Sequence, residues 1–241
     1  ANDACQDLLT RWPEPLNVMA MATGKAYPAG FLYKAWEHLL MNHPHDSICG
    51  CSVGQVHRDM HYRFDQTRMI AEEMIGEATE AVGKDLDTRQ AKGEYTVTVY
   101  NPSEDTDQQV RLIDLHVDPK NINDVVTLYD EDGNELDYQL INREDVITKK
   151  HTFRKLIEMP RRARLTLALP LVLPSMGYRT LSFDLEGPSE HPEDHEYTFK
   201  KWTEPRRNTG TMVTGPGQFA NEYLAVSINA NGTLDVTDKE S

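Results

Sequence analysis

The sequence has no long hydrophobic run. Its apolar stretches extend over only a few residues, whereas a membrane-spanning helix needs roughly 20. The first residues are polar and acidic, without the basic and apolar regions of a secretory signal peptide. We therefore expect no membrane helix, no secretory leader and no membrane partner.

Basic residues are also scarce. The chain has 25 Lys and Arg against 39 Asp and Glu, a formal net charge of -14. Such a chain has no overall electrostatic attraction for phosphate backbones or anionic lipids, so we expect no nucleic-acid partner. The 39% of hydrophobic residues still lies above a disordered composition, and 241 residues suffice for one large or two ordinary domains.

Cysteine occurs only three times, and Cys49 and Cys51 are separated by a single residue. An odd number of cysteines with this spacing is not the disulfide framework of a small secreted domain. We therefore expect a reducing compartment and predict a cytoplasmic protein.

Residues 1–92 show the three-to-four-residue spacing of apolar side chains that is typical of amphipathic helices. The first helical segment covers residues 2–21, although Pro13 and Pro15 interrupt it. A second segment begins with Pro28 as its first helical residue. Its apolar stripe consists of Phe31, Leu32, Ala35, Trp36, Leu39 and Leu40.

A third helix of about 30 residues is predicted from Ser52 to about Gly83, longer than the usual 8–20. Ser52 and Gln55 have the spacing of a capping box, in which each side chain bonds a free backbone amide of the first turn. Because its long apolar stripe has no other partner, we predict that the three segments form a three-helix bundle.

Beyond residue 93 the apolar period changes to two, which is typical of strands. The predicted strands cover residues 95–99, 110–117, 125–129, 136–141, 163–173 and 178–185. Asp132 and Gly133 form a turn signal, which predicts a hairpin between the third and fourth strands. Residues 93–186 are therefore predicted to form a small antiparallel β-sandwich.

Residues 187–241 begin with an acidic, Pro- and His-rich linker up to about residue 195. Two alternating segments, 221–228 and 232–236, then predict the opening hairpin of a further β-domain. The fold class is thus α+β: a three-helix bundle followed by a small antiparallel β-sandwich and the start of a further β-domain.

Chemically reactive side chains concentrate between residues 38 and 61. This segment contains His38, His43, His45, His57 and His61, together with Cys49 and Cys51. Imidazole and thiolate are the usual zinc ligands, but neither His-x-His nor Cys-x-Cys is the spacing of a structural zinc finger. From spacing alone, a metal site and a polar loop with buried thiols both remain open.

Two other histidine patterns are weaker. His57 and His61 are four residues apart on one helix face, but Arg58 stands where an H-E-x-x-H enzyme has its glutamate. A solvated helix face explains them better. His116 and Asp118 form an H-x-D pattern that strand alternation explains, and we interpret the acidic clusters in turns and linker as solvated loops.

The segment from Trp36 to Ser52 resembles the central motif of the zinc-dependent α-mannosidases of glycoside hydrolase family 38. It reads Trp-Glu-His-Leu-Leu-Met-Asn-His-Pro-His-Asp-Ser-Ile-Cys-Gly-Cys-Ser. The Asn-His-Pro-His-Asp-Ser variant is similar to the bacterial branch, which includes mannosylglycerate-type hydrolases. Residues 221–224 and 231–239 also resemble the start of the family's large C-terminal β-domain.

The resemblance implies that His45 completes a catalytic zinc site and that Asp46 binds the hydroxyls of the sugar. It implies one zinc ion, shared with an N-terminal catalytic domain that also carries the nucleophile, so no catalytic residue is expected in this chain. Cys49 and Cys51 depart from the family pattern and are interpreted as packing residues. His43, two positions before His45, could support that zinc ligand without binding zinc itself.

The resemblance thus implies a fragment of a retaining α-mannosidase acting on α-mannosides and inactive in isolation. Its partners would be the N-terminal catalytic domain and C-terminal β-domain of its own parent, with homo-oligomerisation also open. The alternatives are a non-catalytic module that binds carbohydrate or protein, and an independent metal-storage or metal-sensing domain.

Overall fold

The structure of the 241-residue chain is a computed structural model. It describes residues 1–121, 125–146, 149–151, 156–158, 161–186 and 210–239. Within these residues, five α-helices are followed by twelve β-strands, and the strand pairs with assigned registers are antiparallel. The predicted α+β class is confirmed.

The chain divides into two compact units. The first comprises Ala1–Arg89, Tyr100–Asp107 and Leu173–Tyr178, and the second comprises Gln90–Val99, Gln108–Val172 and Arg179–Ser241. In the described ranges, no helix is both long enough and apolar enough to cross a membrane.

Proline determines how the helical segment is divided. The helices are α1 (Asn2–Arg11), α2 (Pro13–Met21), α3 (Ala29–Leu40), α4 (His45–Ile48) and α5 (Gly54–Lys84). Trp12 leaves the helical region, with φ -121° and ψ -69°, because the ring of Pro13 disfavours a helical residue before it. The first predicted segment is therefore two helices. Pro15 lies in the first turn of α2, where amides have no helical acceptor in any case.

The 31-residue helix α5 provides the surface on which the shorter helices pack. Its buried residues follow the helical period: Met60, Phe64, Thr67, Ala71, Met74, Ala78 and Val82. The N-terminal half of this stripe forms one apolar cluster with Cys5 and Leu9 of α1 and with Ala35 and Leu39 of α3. The C-terminal half contacts Leu16 of α2 in a second cluster. Full burial of each leucine contributes about 1.5–3 kcal/mol.

Hydrogen bonds from buried polar side chains fix the positions of these helices along one another. The Asn17 amide of α2 donates to the Pro13 carbonyl at 2.7 Å and to the Met74 carbonyl of α5 at 3.3 Å. The Thr67 hydroxyl of α5 lies 3.3 Å from the Ala35 carbonyl of α3. Because an unpaired buried polar group costs about 1–3 kcal/mol, these bonds disfavour sliding of one helix along another.

Two predicted helix starts are wrong by one or two residues. Pro28 precedes α3 as its cap instead of being its first helical residue. Helix α5 begins at Gly54 after an extended Val53, and no side chain caps it. Ser52 therefore lies outside the capping position, and the amide of Gln55 donates to Asp59 at 2.8 Å, so the capping box does not form.

The strands form four antiparallel groups. They are β1 (Tyr95–Asn101), β2 (Asp107–Val117), β3 (Val125–Tyr129), β4 (Gln139–Val146), β5 (Lys149–His151), β6 (Leu156–Glu158), β7 (Arg162–Leu173), β8 (Gly177–Glu186), β9 (Val213–Gly215), β10 (Gln218–Ala220), β11 (Leu224–Ile228) and β12 (Leu234–Asp238). Two three-stranded sheets have the orders β1-β8-β3 and β2-β7-β4, and β5 pairs with β6. In β7, alternate residues from Ala163 to Leu173 are buried.

The predicted hairpin around Asp132 and Gly133 forms only next to its turn, where Tyr129 and Glu135 make an antiparallel bridge and the Leu136 amide donates to the Leu128 carbonyl at 2.8 Å. The turn is present, with Gly133 at φ 81° and its amide bonded to the Asp130 carbonyl at 3.2 Å. However, β3 pairs with β8, whereas β4 pairs with β7 in the other sheet. Tyr138, at the entrance to β4, is buried and donates its hydroxyl to the Val126 carbonyl at 2.6 Å. The local turn signal could not predict this exchange of sheets because distant strands supply the ladders.

The predicted C-terminal hairpin is confirmed. Strands β11 and β12 pair from Leu224 opposite Asp238 to Ile228 opposite Leu234. They belong to a four-stranded sheet with the order β12-β11-β10-β9. The predicted linker, which extends to about residue 195, lies outside the described residues.

Adjacent leucines at the end of α3 test the packing on α5. Leu39 is fully buried, whereas Leu40 is 52% exposed. We expect Leu39→Ala to lower the free energy of unfolding by about 2–5 kcal/mol through lost apolar burial and the cavity left behind. Leu40→Ala should change it by no more than about 0.5 kcal/mol. Urea unfolding followed by the helical circular dichroism signal measures both, and equal losses would contradict the assigned buried face.

Candidate functional site

The candidate site is the connection between α3 and α5, which contains the short helix α4. It starts at Asn42, which is completely buried. The Asn42 amide donates to the Met60 carbonyl of α5 at 3.1 Å, and its oxygen accepts from Arg63 at 3.3 Å. No role for Asn42 was predicted from the sequence. Its place directly after the apolar stripe of α3 is the sequence signal that could have identified Asn42 as an anchor of the loop.

His43 forms a second anchor. Its side chain is half-buried, and its Nε2 atom lies 2.8 Å from the Oδ1 atom of Asn2 in α1. Pro44 then adopts an extended ψ of 136° and accepts from the amides of Ser47 and Ile48 at 2.9 and 3.1 Å. The loop is therefore attached to both α1 and α5 before α4 begins.

His45 and Asp46 are the first two residues of α4, and both face solvent. Their side chains are 90% and 70% exposed, and the Nε2 atom of His45 lies 3.2 Å from the Oδ1 atom of Asp46. Exposed ion pairs contribute about 0–1 kcal/mol at most, so the pair adds little to the stability of the fold. Its atoms are available to ligands.

The interpretation of Cys49 and Cys51 as packing residues is wrong. Both thiols are exposed in the structure. The chain turns sharply after α4, with Gly50 at φ 78° between the two cysteines. The Cys49 amide bonds the His45 carbonyl and the Cys51 amide bonds the Asp46 carbonyl, each at 3.0 Å. Cys5 is the buried thiol, and burial raises its pKa.

The seven His and Cys residues between positions 38 and 61 do not form one cluster. Within the part of the chain that the structure describes, no three His, Cys, Asp or Glu side chains are arranged to hold a metal ion. His38 is half-buried on α3, where burial and the charge of Lys34 lower its pKa. His57 and His61 lie on α5 as predicted for a helix surface. Catalytic zinc sites use about three protein ligands, so the donors of this loop fit only part of such a site.

An apolar groove lies on α3, beside the loop. It has a volume of about 660 Å³ and is lined by Tyr27, Ala29, Leu32, Tyr33, Trp36, Glu37, Leu40 and Met41. The Trp36 ring nitrogen donates to Glu14 of α2 at 3.2 Å, which orients one wall. The sequence analysis placed Phe31 and Leu40 on the buried stripe, but they are 66% and 52% exposed. The unusual width of that stripe was the signal that α3 has two apolar faces.

The helical segment matches a known domain family. Residues 1–82 match the model of the alpha mannosidase middle domain. This segment is similar to that domain. The resemblance inferred from the residues around His45 is therefore confirmed for the part of the chain that carries the loop. Over 88 residues, the chain is 40% identical to a candidate mannosylglycerate hydrolase of Halalkalibacterium halodurans.

Solved structures share the fold over almost the whole chain. An alpha-mannosidase from Enterococcus faecalis V583 and a protein in the glycosyl hydrolase family 38 from Enterococcus faecalis each match 98% of this chain. Both have a TM-score of 0.64 and 22% sequence identity, which establishes similarity of fold alone. The chain spans 27% and 28% of those structures, and the curated match covers 36% of this chain and 10% of the Halalkalibacterium protein.

The anchoring of the loop through Asn42 can be tested by hydrogen exchange. Asn42→Ala removes the buried bonds to Met60 and Arg63, so we expect a loss of about 1–3 kcal/mol in stability. The amides of residues 45–51 should also exchange faster, because the loop loses its attachment to α5. Gln55→Ala, which changes an exposed amide next to the same loop, is the matched control. Unchanged exchange in the Asn42 variant would exclude the anchoring role.

Proposed function

We propose that this chain is part of a zinc-dependent retaining α-mannosidase, to which it contributes His45 as one zinc ligand and Asp46 as a substrate-binding carboxylate. The observation that carries the proposal is the outward-facing His45–Asp46 pair on an anchored loop of a segment similar to the alpha mannosidase middle domain. Two adjacent polar side chains that add little to stability are suited to binding something outside the chain.

His45 suits the metal because a neutral imidazole is a directional zinc ligand. Helix α4 fixes its backbone, since the His45 carbonyl accepts the Cys49 amide at 3.0 Å. When bound, zinc supplies positive charge and a template for sugar hydroxyls. The remaining protein ligands would come from the N-terminal catalytic domain of the parent, because one histidine and one carboxylate do not complete a catalytic site.

Asp46 suits a sugar because an ionised carboxylate accepts hydrogen bonds only, and sugar hydroxyls donate them. Its 70% exposure leaves the carboxylate oxygens accessible beside the imidazole of His45. The substrate class would be an α-mannoside. The catalytic carboxylates of the retaining reaction would lie in the N-terminal domain, so the 241-residue chain alone would be inactive.

The wider assignment follows from the same proposal. We place the bundle at residues 1–92, the β-sandwich at 93–186, and a linker with the opening hairpin of the C-terminal β-domain at 187–241. The partners are then the other domains of the parent, with a homo-oligomer also compatible, and neither nucleic acid nor membrane. The three unpaired cysteines, two of them exposed, support a cytoplasmic location.

The alternative is a non-catalytic module that binds carbohydrate or protein. The groove on α3 supports it, because Tyr33 and Trp36 offer aromatic surface for a ligand beside the loop. A binding module of this kind does not need a zinc ligand at position 45. The two functions are therefore separated by the effect of removing that imidazole.

The decisive variant is His45→Ala in the full-length parent enzyme. We expect zinc content to fall and hydrolysis of an aryl α-mannoside to drop by more than about 100-fold, since loss of even an outer partner of a metal ligand costs about 10–100-fold. His61→Ala, which removes an exposed imidazole from α5, is the matched control and should retain both properties. Zinc analysis and steady-state kinetics supply the two measurements. Full zinc and full turnover after His45→Ala would reject the metal role and favour the binding module.

Asp46→Asn separates the second role from the first. The amide has nearly the shape of the carboxylate but lacks its charge, so we expect zinc to be retained and kcat/KM to fall about 10- to 100-fold. In parallel, the isolated 241-residue chain should show no zinc-dependent turnover. Turnover by that chain would contradict the proposed division of the site between domains.

A further inference from the structure

We propose that Cys49 and Cys51 form a redox-active dithiol, which exchanges with small disulfides such as oxidised glutathione and closes a disulfide across Gly50. Both thiols are exposed, so a small disulfide can reach either sulfur. Neither thiol is used by the function proposed above. The third thiol, Cys5, is buried against the Phe64 carbonyl at 3.7 Å and serves as an internal reference that the reagent does not reach.

The backbone between the two cysteines already has a bend that favours a disulfide between them. Two residues in a fully extended chain span about 7 Å, which slightly exceeds the range of about 4.4–6.8 Å between the Cα atoms of a disulfide. Here Gly50 has φ 78° and the amide of Cys51 returns to the Asp46 carbonyl at 3.0 Å, so the chain bends at Gly50 instead of running extended. The Cys51 Sγ atom lies 4.0 Å from the backbone carbonyl oxygen of Cys49.

Gly50 gives the turn room to adjust. A Cβ atom added there would meet no atom within 4 Å, so the site is open on that side. Glycine also tolerates the changes in φ that ring closure requires. A disulfide between residues this close is strained, and strained, exposed disulfides are the labile ones that open again under reducing conditions.

The reaction is an ordinary two-step exchange. One thiolate attacks oxidised glutathione, forms a mixed disulfide and releases one reduced glutathione. The second thiol attacks the protein sulfur of that mixed disulfide and releases another. In balance, two protein thiols lose two electrons and two protons, and one glutathione disulfide gains them to become two thiols.

Closure would be transmitted directly to His45 and Asp46. The amides of Cys49 and Cys51 bond the carbonyls of these two residues at 3.0 Å each. We therefore expect a disulfide that tightens this turn to change the geometry of at least one of these bonds. Any effect on catalysis rests on the function proposed above, whereas the dithiol chemistry and its effect on the loop do not.

The test uses the 241-residue chain in glutathione buffers of graded reduced-to-oxidised ratio, with acid quenching, alkylation and intact-mass analysis. We expect the wild type to lose the mass of two hydrogen atoms as the buffer becomes oxidising, with Cys49 and Cys51 both protected from alkylation. Cys51→Ser and Cys49→Ser should instead each gain one glutathione. Wild-type chains that carry only glutathione adducts, or that stay reduced at every ratio, would overturn the proposal.

A second readout tests the coupling to the loop. In amide NMR spectra, oxidation of the wild type should shift the signals of His45 and Asp46, while Cys51→Ser in the same buffer keeps them in place apart from effects of the added glutathione at Cys49. The signal of His61 on α5 is the internal reference. Unshifted His45 and Asp46 signals in a chain with a proven Cys49–Cys51 disulfide would overturn the coupling. Because no mannoside is used, this outcome is independent of the proposed mannosidase function.

Discussion

The packing of three short helices along α5 is the constraint on which the functional loop depends. Apolar burial alone would permit these helices to slide, because one methyl or leucine contact resembles the next along a helical stripe. Buried polar bonds remove that freedom: Asn17 donates to the Met74 carbonyl, Thr67 to the Ala35 carbonyl and Asn42 to the Met60 carbonyl. Each would lose a buried partner if its helix shifted by one turn. The position at which the loop leaves α3 is therefore set by side-chain amides and a hydroxyl as much as by leucines.

This arrangement explains how His45 and Asp46 can be highly exposed and still lie on a loop that is anchored by hydrogen bonds. Asn42 anchors the start of the loop to α5, and His43 binds Asn2 of α1. The single helical turn of α4 then satisfies its own backbone groups, since the amide of Cys51 returns to the Asp46 carbonyl. A site whose supporting residues are fixed in this way keeps its geometry while its polar atoms remain free for ligands.

Most signals that act within a few residues could be predicted from the sequence, although the capping box at Ser52 does not form, and signals that depend on distant partners could not. The proline at position 13 ends a helix by its own ring, and the apolar period of α5 is visible over thirty residues. By contrast, the exchange of β4 into another sheet depends on β7, and the exposure of Leu40 depends on which face of α3 meets α5. For His45 and Asp46, spacing left a metal site and a polar loop both open, and only the family resemblance separated them.

The distribution of donors in the loop does not match what an independent metal-storage domain would need. A metal-storage domain would need several ligands converging within one chain, yet in the described residues the histidines of α3, α4 and α5 do not form such a group. The thiols of Cys49 and Cys51 are the nearest soft donors along the chain, but in the described residues they do not join His45 in a group of three donors. What remains is one exposed imidazole beside one exposed carboxylate, on a rigid mount next to an apolar groove. This pair supplies fewer than the roughly three protein ligands of a catalytic zinc site, so the function proposed above requires further ligands from another domain.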